Sequence, residues 1–404
     1  MALDTLKKIF YTQPQNHNNA YLQRFHSPSS VVLNFHIKQF NHDKSFLAFF
    51  YYSPELVRLL EHTYIRHNEL NEIISSFPNI ALHQFALASI IDEVHSTSAI
   101  EGIHSTKREL KDVIEGNYSS SHFSSIIKKY NLLLDNSSIP FYSCYDIRTF
   151  YDDFAHLEIS SENPRNKLDG AIFRTEAVDI KSSTGKILHR GITPESKIID
   201  SLNYALDILH DDNMPVLIRI ALFHYLFVYI HPFYDGNGRT ARFIASYFLA
   251  QHFHPLAALR LSVTIRHNIK HYYDILHDTE LEINCGDLTP FLYAFIQFFV
   301  QTINDISKTL KLKSAQLGAF SQKIDALHLH DEITVSICHI LLQASAFFGQ
   351  GVSMKELMAL TGKSRNTIKA KLASIPQELI IVRGNKKLFY KLNPIALKDL
   401  QSYT

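Results

Sequence analysis

The chain has 404 residues, which is enough for two or three domains, and its formal net charge at pH 7 is +1. Hydrophobic residues make up 46% of the sequence and charged residues 20%, values typical of a globular protein with a sizeable core. The near-neutral charge gives no overall signal for binding to nucleic acid or to a membrane surface.

The cysteines and the apolar segments indicate the compartment. Cys144, Cys285 and Cys338 are scattered without paired spacing, which argues against a disulfide framework or a zinc site and favours a reducing environment. The N-terminus has no uninterrupted apolar region of the signal-peptide type. The longest apolar stretch, 217–230, contains an arginine and a histidine and is too short to span a bilayer. We therefore predict a cytoplasmic protein without a membrane-spanning segment.

Helical periodicity dominates the elements that we expect along the first three quarters of the chain. Residues 1–78 are rich in aromatic residues and histidine, with a helical pattern over 54–74, and they predict an N-terminal helical extension. A strong helical pattern covers 82–101, and a β-hairpin fits 172–188 with its turn at 182–186. Further helices are predicted at 195–210, 214–230, 239–252, 266–280 and 288–312.

The last quarter of the chain has a different order of elements. A helix at about 330–346 precedes a capping box, Ser353-Met-Lys-Glu, which opens a second helix. A third helix covers about 365–374, and a hairpin follows at 380–392. This order resembles a winged helix-turn-helix, and it predicts such a domain at 329–404, separated from the preceding residues by a linker at 313–328.

The charge of this C-terminal segment is distinct, because residues 353–404 carry +7 and the remaining residues carry −6. A basic surface on a winged helix favours DNA, although such domains also serve for protein docking and dimerisation, so both partners remain open. The residues at the third helix and at the hairpin turn that would contact DNA are Lys363, Arg365, Asn366, Lys369, Lys371, Lys386 and Lys387.

The segment 231–242, His-Pro-Phe-Tyr-Asp-Gly-Asn-Gly-Arg-Thr-Ala-Arg, concentrates groups that suit a nucleoside triphosphate. Its Gly-Asn-Gly turn presents backbone N–H groups at the start of a helix, where anions are favoured. Arg239 and Arg242 project from one helical face and can grip two phosphate groups. Asp235 offers a hard oxygen ligand to a cation such as Mg²⁺, and His231 can take a proton near neutral pH.

This segment resembles the active-site motif of Fic-domain proteins, His-x-Phe-x-Asp/Glu-Gly-Asn-Gly-Arg-x-x-Arg, and it matches every fixed position. The resemblance implies a nucleotidyltransferase that transfers AMP from ATP to a Ser, Thr or Tyr hydroxyl of a target protein or of itself, with His231 as the base and Asp235 holding Mg²⁺. It implies that Phe233 anchors the loop. It places Tyr273 near the nucleotide base, with a core position as the alternative. Phosphate binding, through backbone N–H groups, a side-chain amide and two guanidinium groups, is implied for Gly236, Asn237, Gly238, Arg239 and Arg242.

A second match lies earlier in the chain. Thr97-Ser-Ala-Ile-Glu101-Gly102 resembles the inhibitory motif of autoinhibited Fic proteins, Ser/Thr-x-x-x-Glu-Gly/Asn. The resemblance implies that Glu101 pairs with Arg242 in place of the γ-phosphate and forces ATP into an unproductive pose, in cis. If the protein instead removes AMP from a modified protein, Glu101 would orient a water and would be catalytic.

The expected fold class is mainly α, with a Fic-type helical core at 79–312 that includes the inhibitory helix, a β-hairpin flap, and the C-terminal winged helix-turn-helix-like domain. In Fic proteins the flap holds the target segment by main-chain pairing, so the resemblance implies a target protein bound through 172–188. The alternatives are a DNA-binding transcriptional regulator that carries a Fic domain and a Fic enzyme that transfers another group. A homodimer that buries the inhibitory helix is a further expectation.

Overall fold

A computed structural model of the chain is mainly helical and divides into two compact units. The first unit comprises Met1–His67, Asp92–Val113 and Tyr118–Ile303, and the second comprises Asn68–Ile91, Ile114–Asn117 and Asn304–Thr404. The residues that the structure describes are 4–115, 123–135, 137–156, 159, 163–181, 184–327, 329, 331–347, 351–384, 388–393 and 395–396.

Helices account for most of the first unit, and several of them begin or end in residues of the second. The α-helices up to residue 325 in the described part of the chain are α1 (Leu6–Thr12), α2 (His17–Phe25), α3 (Pro54–Ser75), α4 (Asn79–Ile100), α5 (Lys107–Ile114), α6 (Phe123–Leu134), α7 (Cys144–Tyr151), α8 (Glu195–Leu209), α9 (Val216–Ile230), α10 (Asn237–His252), α11 (Pro255–Ala258), α12 (Leu261–His267), α13 (Ile269–Glu280) and α14 (Thr289–Asp325).

Helix α9 is the buried helix that precedes the 231–242 segment. It begins after Pro215, and every residue is buried except Val216 and Val228. A helix that is apolar on all sides has to be surrounded by other elements, and α8 and α10 pack against it. Across the described ranges, no helix is both long and apolar enough to cross a membrane.

Residues 1–78 also contain a β-hairpin, so the prediction of a purely helical extension was wrong. Strand β1 (Ser30–Lys38) pairs in antiparallel register with β2 (Ser45–Tyr51). Buried and exposed residues alternate along the second half of β1, with the period of two that a strand requires. The alternating buried side chains, which are legible in the sequence, are Leu33, Phe35 and Ile37.

The hairpin in the middle of the chain is shorter than predicted and lies later. Strand β3 (Asp179–Lys181) pairs in antiparallel register with β4 (Ile187–Arg190), so the flap spans 179–190 and not 172–188. The N–H groups of Ile172 and Phe173 donate instead to the Glu195 carboxylate, at 2.7 and 2.8 Å, which removes them from a strand ladder. Residues 182 and 183 of the predicted turn lie outside the described residues.

Helix α14 continues through most of the linker predicted at 313–328, which is therefore a correction. Ile324 is buried in the core of the second unit, and Leu317 and Phe320 pack against that core. Apolar side chains at positions three, four and seven apart lie on one helical face, so their burial holds the helix together beyond residue 312.

The C-terminal part of the second unit confirms the predicted helices and hairpin and adds one short strand. The capping box forms as expected, because Ser353 N–H donates to Glu356 Oε2 at 2.6 Å and Glu356 N–H donates to Ser353 Oγ at 3.3 Å. Strand β5, which was not predicted, completes an antiparallel sheet of order β5-β7-β6. The elements are α15 (Glu332–Ala344), β5 (Val352–Ser353), α16 (Met354–Thr361), α17 (Arg365–Ser374), β6 (Ile380–Arg383) and β7 (Phe389–Leu392).

Candidate active site

Helix α9 ends at His231, which lies in the left-handed region with φ 56° and ψ 61°. Its N–H donates to Phe227 O at 3.0 Å, and Pro232 prevents the helix from continuing. The ring Nδ1 lies 3.2 Å from Val228 O. Because a carbonyl oxygen only accepts, Nδ1 carries the proton and Nε2 of the neutral ring presents a lone pair.

The buried side chain of Arg174 holds the end of α9 in place. Its Nε donates to His231 O at 2.8 Å, and one terminal nitrogen donates to Ile230 O at 3.3 Å. The same nitrogen donates to Ile192 O at 2.9 Å. One guanidinium therefore satisfies the last carbonyls of a buried helix and connects them to the segment that follows the flap.

The loop after His231 is fixed by packing and by an amide. Phe233 is fully buried, and its ring stacks on Tyr151 with a centroid separation of 3.7 Å. Asn237 Oδ1 accepts from Phe233 N–H at 2.9 Å, and Asn237 Nδ2 donates to Phe233 O at 2.8 Å. The amide expected at the phosphates is thus committed to the loop main chain, whereas the anchoring position expected of Phe233 matches its burial.

The partly buried carboxylate of Asp235 belongs to this loop, and its Oδ1 accepts from Gly236 N–H at 2.5 Å. Among the residues that the structure describes, no three His, Cys, Asp or Glu side chains are grouped to hold a metal ion. Mg²⁺ in nucleotide enzymes usually binds through one or two carboxylates together with substrate phosphates and water. A single carboxylate therefore fits a cation that arrives with a nucleotide.

Helix α10 begins at the Gly-Asn-Gly turn. Gly236 has φ 79°, and a Cβ there would lie 2.7 Å from Ile159 Cδ1, so the position requires glycine. A Cβ at Gly238 would clash with the carboxylate of Glu101. Arg239 and Arg242 follow on the same helix, and both are fully or almost fully buried. The N-terminal turn of α10 is a favourable place for an anion.

The anionic group that occupies this place is the side chain of Glu101, which follows α4. Its Oε1 accepts from a terminal nitrogen of Arg242 at 2.6 Å. Arg242 also donates from Nε to Thr97 Oγ1 at 2.9 Å and from the terminal nitrogen to Thr97 O at 3.0 Å. The structure thus contains the pair of Glu101 and Arg242 that the resemblance implied, and it adds Thr97, for which no contact was predicted.

Two features of α4 lie near Glu101 in the chain. Gly102 is left-handed with φ 76°, its N–H donates to Ala99 O, and Ile103 N–H donates to Ser98 O, so a Schellman motif ends α4. Two turns earlier, the buried carboxylate of Glu93 accepts from Ser262 N–H at 2.9 Å, at the start of α12. Burial raises the pKa of Glu93 to about 7.

A cavity of about 480 Å³ lies beside the flap. Its wall includes Ile180 and Leu188 from the flap, Val228 from α9, and Tyr273 and Leu276 from α13. Tyr272 is buried and hydrogen-bonds His224 at 2.8 Å, whereas Tyr273 is 45% exposed and donates to Ile100 O at 3.2 Å. Of the two tyrosines, Tyr272 is the core residue and Tyr273 lines the cavity.

A buried ion pair fixes the flap to the helices beneath it. His189 of β4 contacts Glu280 Oε2 through Nδ1 at 2.8 Å and Tyr229 O through Nε2 at 2.7 Å. Burial opposes a charge on His189, but the bond to Glu280 outweighs it and raises the pKa of His189. Two acceptors on one ring are satisfied only when both ring nitrogens are protonated.

Sequence reasoning missed Arg174, His189 and Glu280. None of them lies in a motif, and each acts on a main-chain group or a side chain distant in the sequence. A lone arginine or histidine carries no local pattern that separates it from a surface residue, so no signal in the chain could have found them.

Part of the chain is similar to known proteins. Residues 151–249 match the family model described as "Fic/DOC family". This part of the chain is therefore similar to a Fic domain. The crystal structure of a Fic family protein from Desulfovibrio desulfuricans G20 resembles this structure with a TM-score of 0.52 and 20% identity, covering 85% of this chain and 97% of that one. This likeness supports a mainly α Fic fold.

Two curated relatives are similar over part of their length. Protein adenylyltransferase fic-1 of Caenorhabditis briggsae is 25% identical over 233 residues, which are 56% of this chain and 43% of that protein. Protein adenylyltransferase Fic of Nematostella vectensis is 44% identical over 84 residues, which are 21% of this chain and 18% of that protein. The chain thus spans less than half the length of these relatives.

The protonation of His231 can be tested directly. Burial and then the charge of His189 lower the pKa of His231 to about 3. Because the neutral form is favoured, we expect the ring to stay neutral in ¹H–¹⁵N spectra from about pH 8 to about pH 4, with the resonance assigned by comparison with His231→Gln. A midpoint near the ordinary value of about 6.5 would contradict this assignment. A depressed pKa also means that the unfolded chain binds more protons, so the contribution of His231 to stability falls as the pH falls below about 6.5.

Proposed function

We propose that the protein is a nucleotidyltransferase that transfers AMP from ATP to a hydroxyl group of a protein. The observation that carries the proposal is the position of His231. Its Nδ1 lies 3.2 Å from Val228 O, which leaves Nε2 to accept a proton, and the chain that follows it forms the N-terminal turn of α10 and provides Arg242. A base next to an anion site is what transfer of a phosphoryl-linked group to a hydroxyl requires. The names of the curated relatives, which are protein adenylyltransferases, support this reading.

In the proposed reaction, Nε2 of His231 accepts the proton of a Ser, Thr or Tyr hydroxyl. The hydroxyl oxygen forms a bond to the α-phosphorus of ATP, the bond between that phosphorus and the bridging oxygen breaks, and pyrophosphate leaves. Arg174 acts as a positioning residue, because its bonds to the carbonyls of Ile230 and His231 fix where the imidazole lies. The lowered pKa of His231 keeps its ring in the neutral form at neutral pH.

The backbone N–H groups of the first turn of α10, with Arg239 and Arg242, would bind the phosphates. Asp235 would hold Mg²⁺, which would neutralise part of the phosphate charge. The nucleoside would occupy the cavity of about 480 Å³ beside the flap, where apolar side chains and Tyr273 could contact the faces of a base. The flap over 179–190 would hold the target segment by main-chain pairing, and this role rests on the family resemblance alone.

Glu101 would restrain the transfer. Its carboxylate lies against Gly238 and accepts a hydrogen bond from Arg242. It therefore occupies both the guanidinium group and the helix N-terminus that a γ-phosphate would need. The competing groups carry the same sign of charge and cannot share the place. Removing the Glu101 side chain should therefore release Arg242 for ATP.

The transfer is tested by incubating the protein with Mg²⁺ and ATP labelled at the α-phosphate. We expect strong labelling of protein by Glu101→Gly and weak labelling by the natural sequence, because Arg242 becomes available. Adding His231→Ala to Glu101→Gly should lower the rate by about 10²–10⁴-fold, the usual contribution of a general base.

Glu101→Gln is the matched control, since it keeps the size of the side chain and removes its charge. We expect labelling between those of the natural sequence and Glu101→Gly. Equal labelling by Glu101→Gly with and without His231→Ala would refute the assignment of the base. Label from γ-labelled ATP in place of α-labelled ATP would show that another group is transferred.

The competition for Arg242 also predicts a difference between two nucleotides. In the natural sequence ATP and ADP should bind with similar affinity, because Arg242 is already paired with Glu101. In Glu101→Gly, ATP should bind about 10-fold more tightly, equivalent to about 1.4 kcal/mol, while ADP changes little. Isothermal titration measures both constants. Adding Arg242→Ala to Glu101→Gly should abolish the increase in ATP affinity. An equal increase in ADP affinity would contradict competition between Glu101 and the γ-phosphate.

Removal of AMP from a modified protein is a second candidate, favoured by the exposure of Glu101. Its side chain is 24% exposed, and among the described residues Oε2 has no hydrogen-bond partner, so it can orient a water. The water oxygen would bond to phosphorus, the protein oxygen would leave, and one proton of the water would pass to it. A target labelled beforehand by Glu101→Gly should then lose AMP with the natural sequence and keep it with Glu101→Gly. Retention of the label in both reactions would eliminate this candidate.

A further inference from the structure

The C-terminal part of the second unit has an order of elements that presents one helix to solvent. Helix α15, strand β5, helices α16 and α17 and the β6–β7 hairpin follow one another, and β7 lies between β5 and β6 in the sheet. A helix, a turn and a second helix beside a two-stranded wing is the arrangement in which the last helix enters a groove of duplex DNA. The inner face of α17 is anchored by Ile368 and Leu372, both of which are buried.

The outer face of α17 combines cations with short side chains. Arg365, Asn366 and Lys369 are exposed on it, and Ala370 and Ala373 are exposed beside them. The sequence of α17 contains no acidic residue. Short side chains between basic ones let a helix approach a groove closely, while arginine and lysine reach phosphates and asparagine can pair with a base edge.

Two further cations lie near α17. Lys363 in the preceding turn and Arg383 at the end of β6 are exposed. Glu356 is engaged by Ser353 in the capping box. Lys371, which was expected at the DNA surface, pairs instead with Asp331 at 3.1 Å. Lys386 and Lys387, which were also expected at the DNA surface, lie outside the described residues.

We propose that the exposed face of α17 binds duplex DNA in the major groove, with Arg365 and Lys369 as phosphate ligands. A polyanion is the partner that a face with several cations and no carboxylate fits, and the regular spacing of phosphates on a duplex suits two cations one helical turn apart. This binding goes beyond the proposed transfer of AMP and is independent of it, because none of these residues lies in the candidate active site.

Binding is tested with the full chain and a fluorescent duplex of mixed sequence, about 30 base pairs long, by fluorescence anisotropy at several salt concentrations. We expect a dissociation constant of about 10⁻⁴ to 10⁻⁶ M, typical of sequence-independent binding, that rises steeply with salt. The double variant Arg365→Ala with Lys369→Ala should bind at least about 10-fold more weakly, and its slope of log affinity against log salt should be shallower by about 2, since each phosphate contact contributes about 0.9.

The matched control is Lys128→Ala with Lys197→Ala, which removes the same charge from exposed positions of the first unit. This variant should bind the duplex as the natural sequence does. Circular dichroism of both double variants would confirm that they fold. The proposal is overturned if the duplex does not bind, if both double variants weaken binding equally, or if single-stranded RNA competes better than unlabelled duplex.

Discussion

The carbonyl groups at the end of a buried helix need hydrogen-bond donors from the protein itself. In the candidate site, the donor to the last carbonyls of α9 also fixes the position of His231. Helix α9 is buried along almost its whole length, so water does not satisfy its last turn. Arg174 supplies the donors, and it bonds the carbonyls of Ile230 and His231 as well as that of Ile192. His231 therefore lies in a left-handed conformation that most residues avoid, with its ring position set by a side chain outside the motif.

The second constraint is that the single guanidinium group of Arg242 has competing partners. In the structure it holds Thr97 and Glu101, and the proposed reaction needs it for a phosphate. Gly238 serves both arrangements, because the missing side chain lets either an oxygen of Glu101 or a phosphate oxygen approach the start of α10. In the proposed function this N-terminal turn would bind either a phosphate or the carboxylate of Glu101 from the same chain.

Predictions from local signals agreed with the structure where the physics is local. The capping box at Ser353 and the helix at 365–374 form as expected, because caps and helical periodicity act within a few residues. The linker at 313–328 was wrong because the continuation of α14 depends on the core that Leu317 and Phe320 meet, which is not visible from within the linker. The helical extension at 1–78 was wrong for another reason, because the alternation of Leu33, Phe35 and Ile37 in β1 is legible in the sequence and was missed.

The sequence by itself determined which chemical groups are present and their order: the His231 to Arg242 segment, the Thr97 to Gly102 segment, a mainly α core and a basic C-terminus. Only the tertiary structure decided how they are used. It turned the amide of Asn237 inward to the loop, brought Glu101 to Arg242 across 141 residues of chain, and placed Arg174 at the end of α9. Contacts of this kind depend on the positions of elements far apart in sequence, and no local pattern encodes the distance between two side chains.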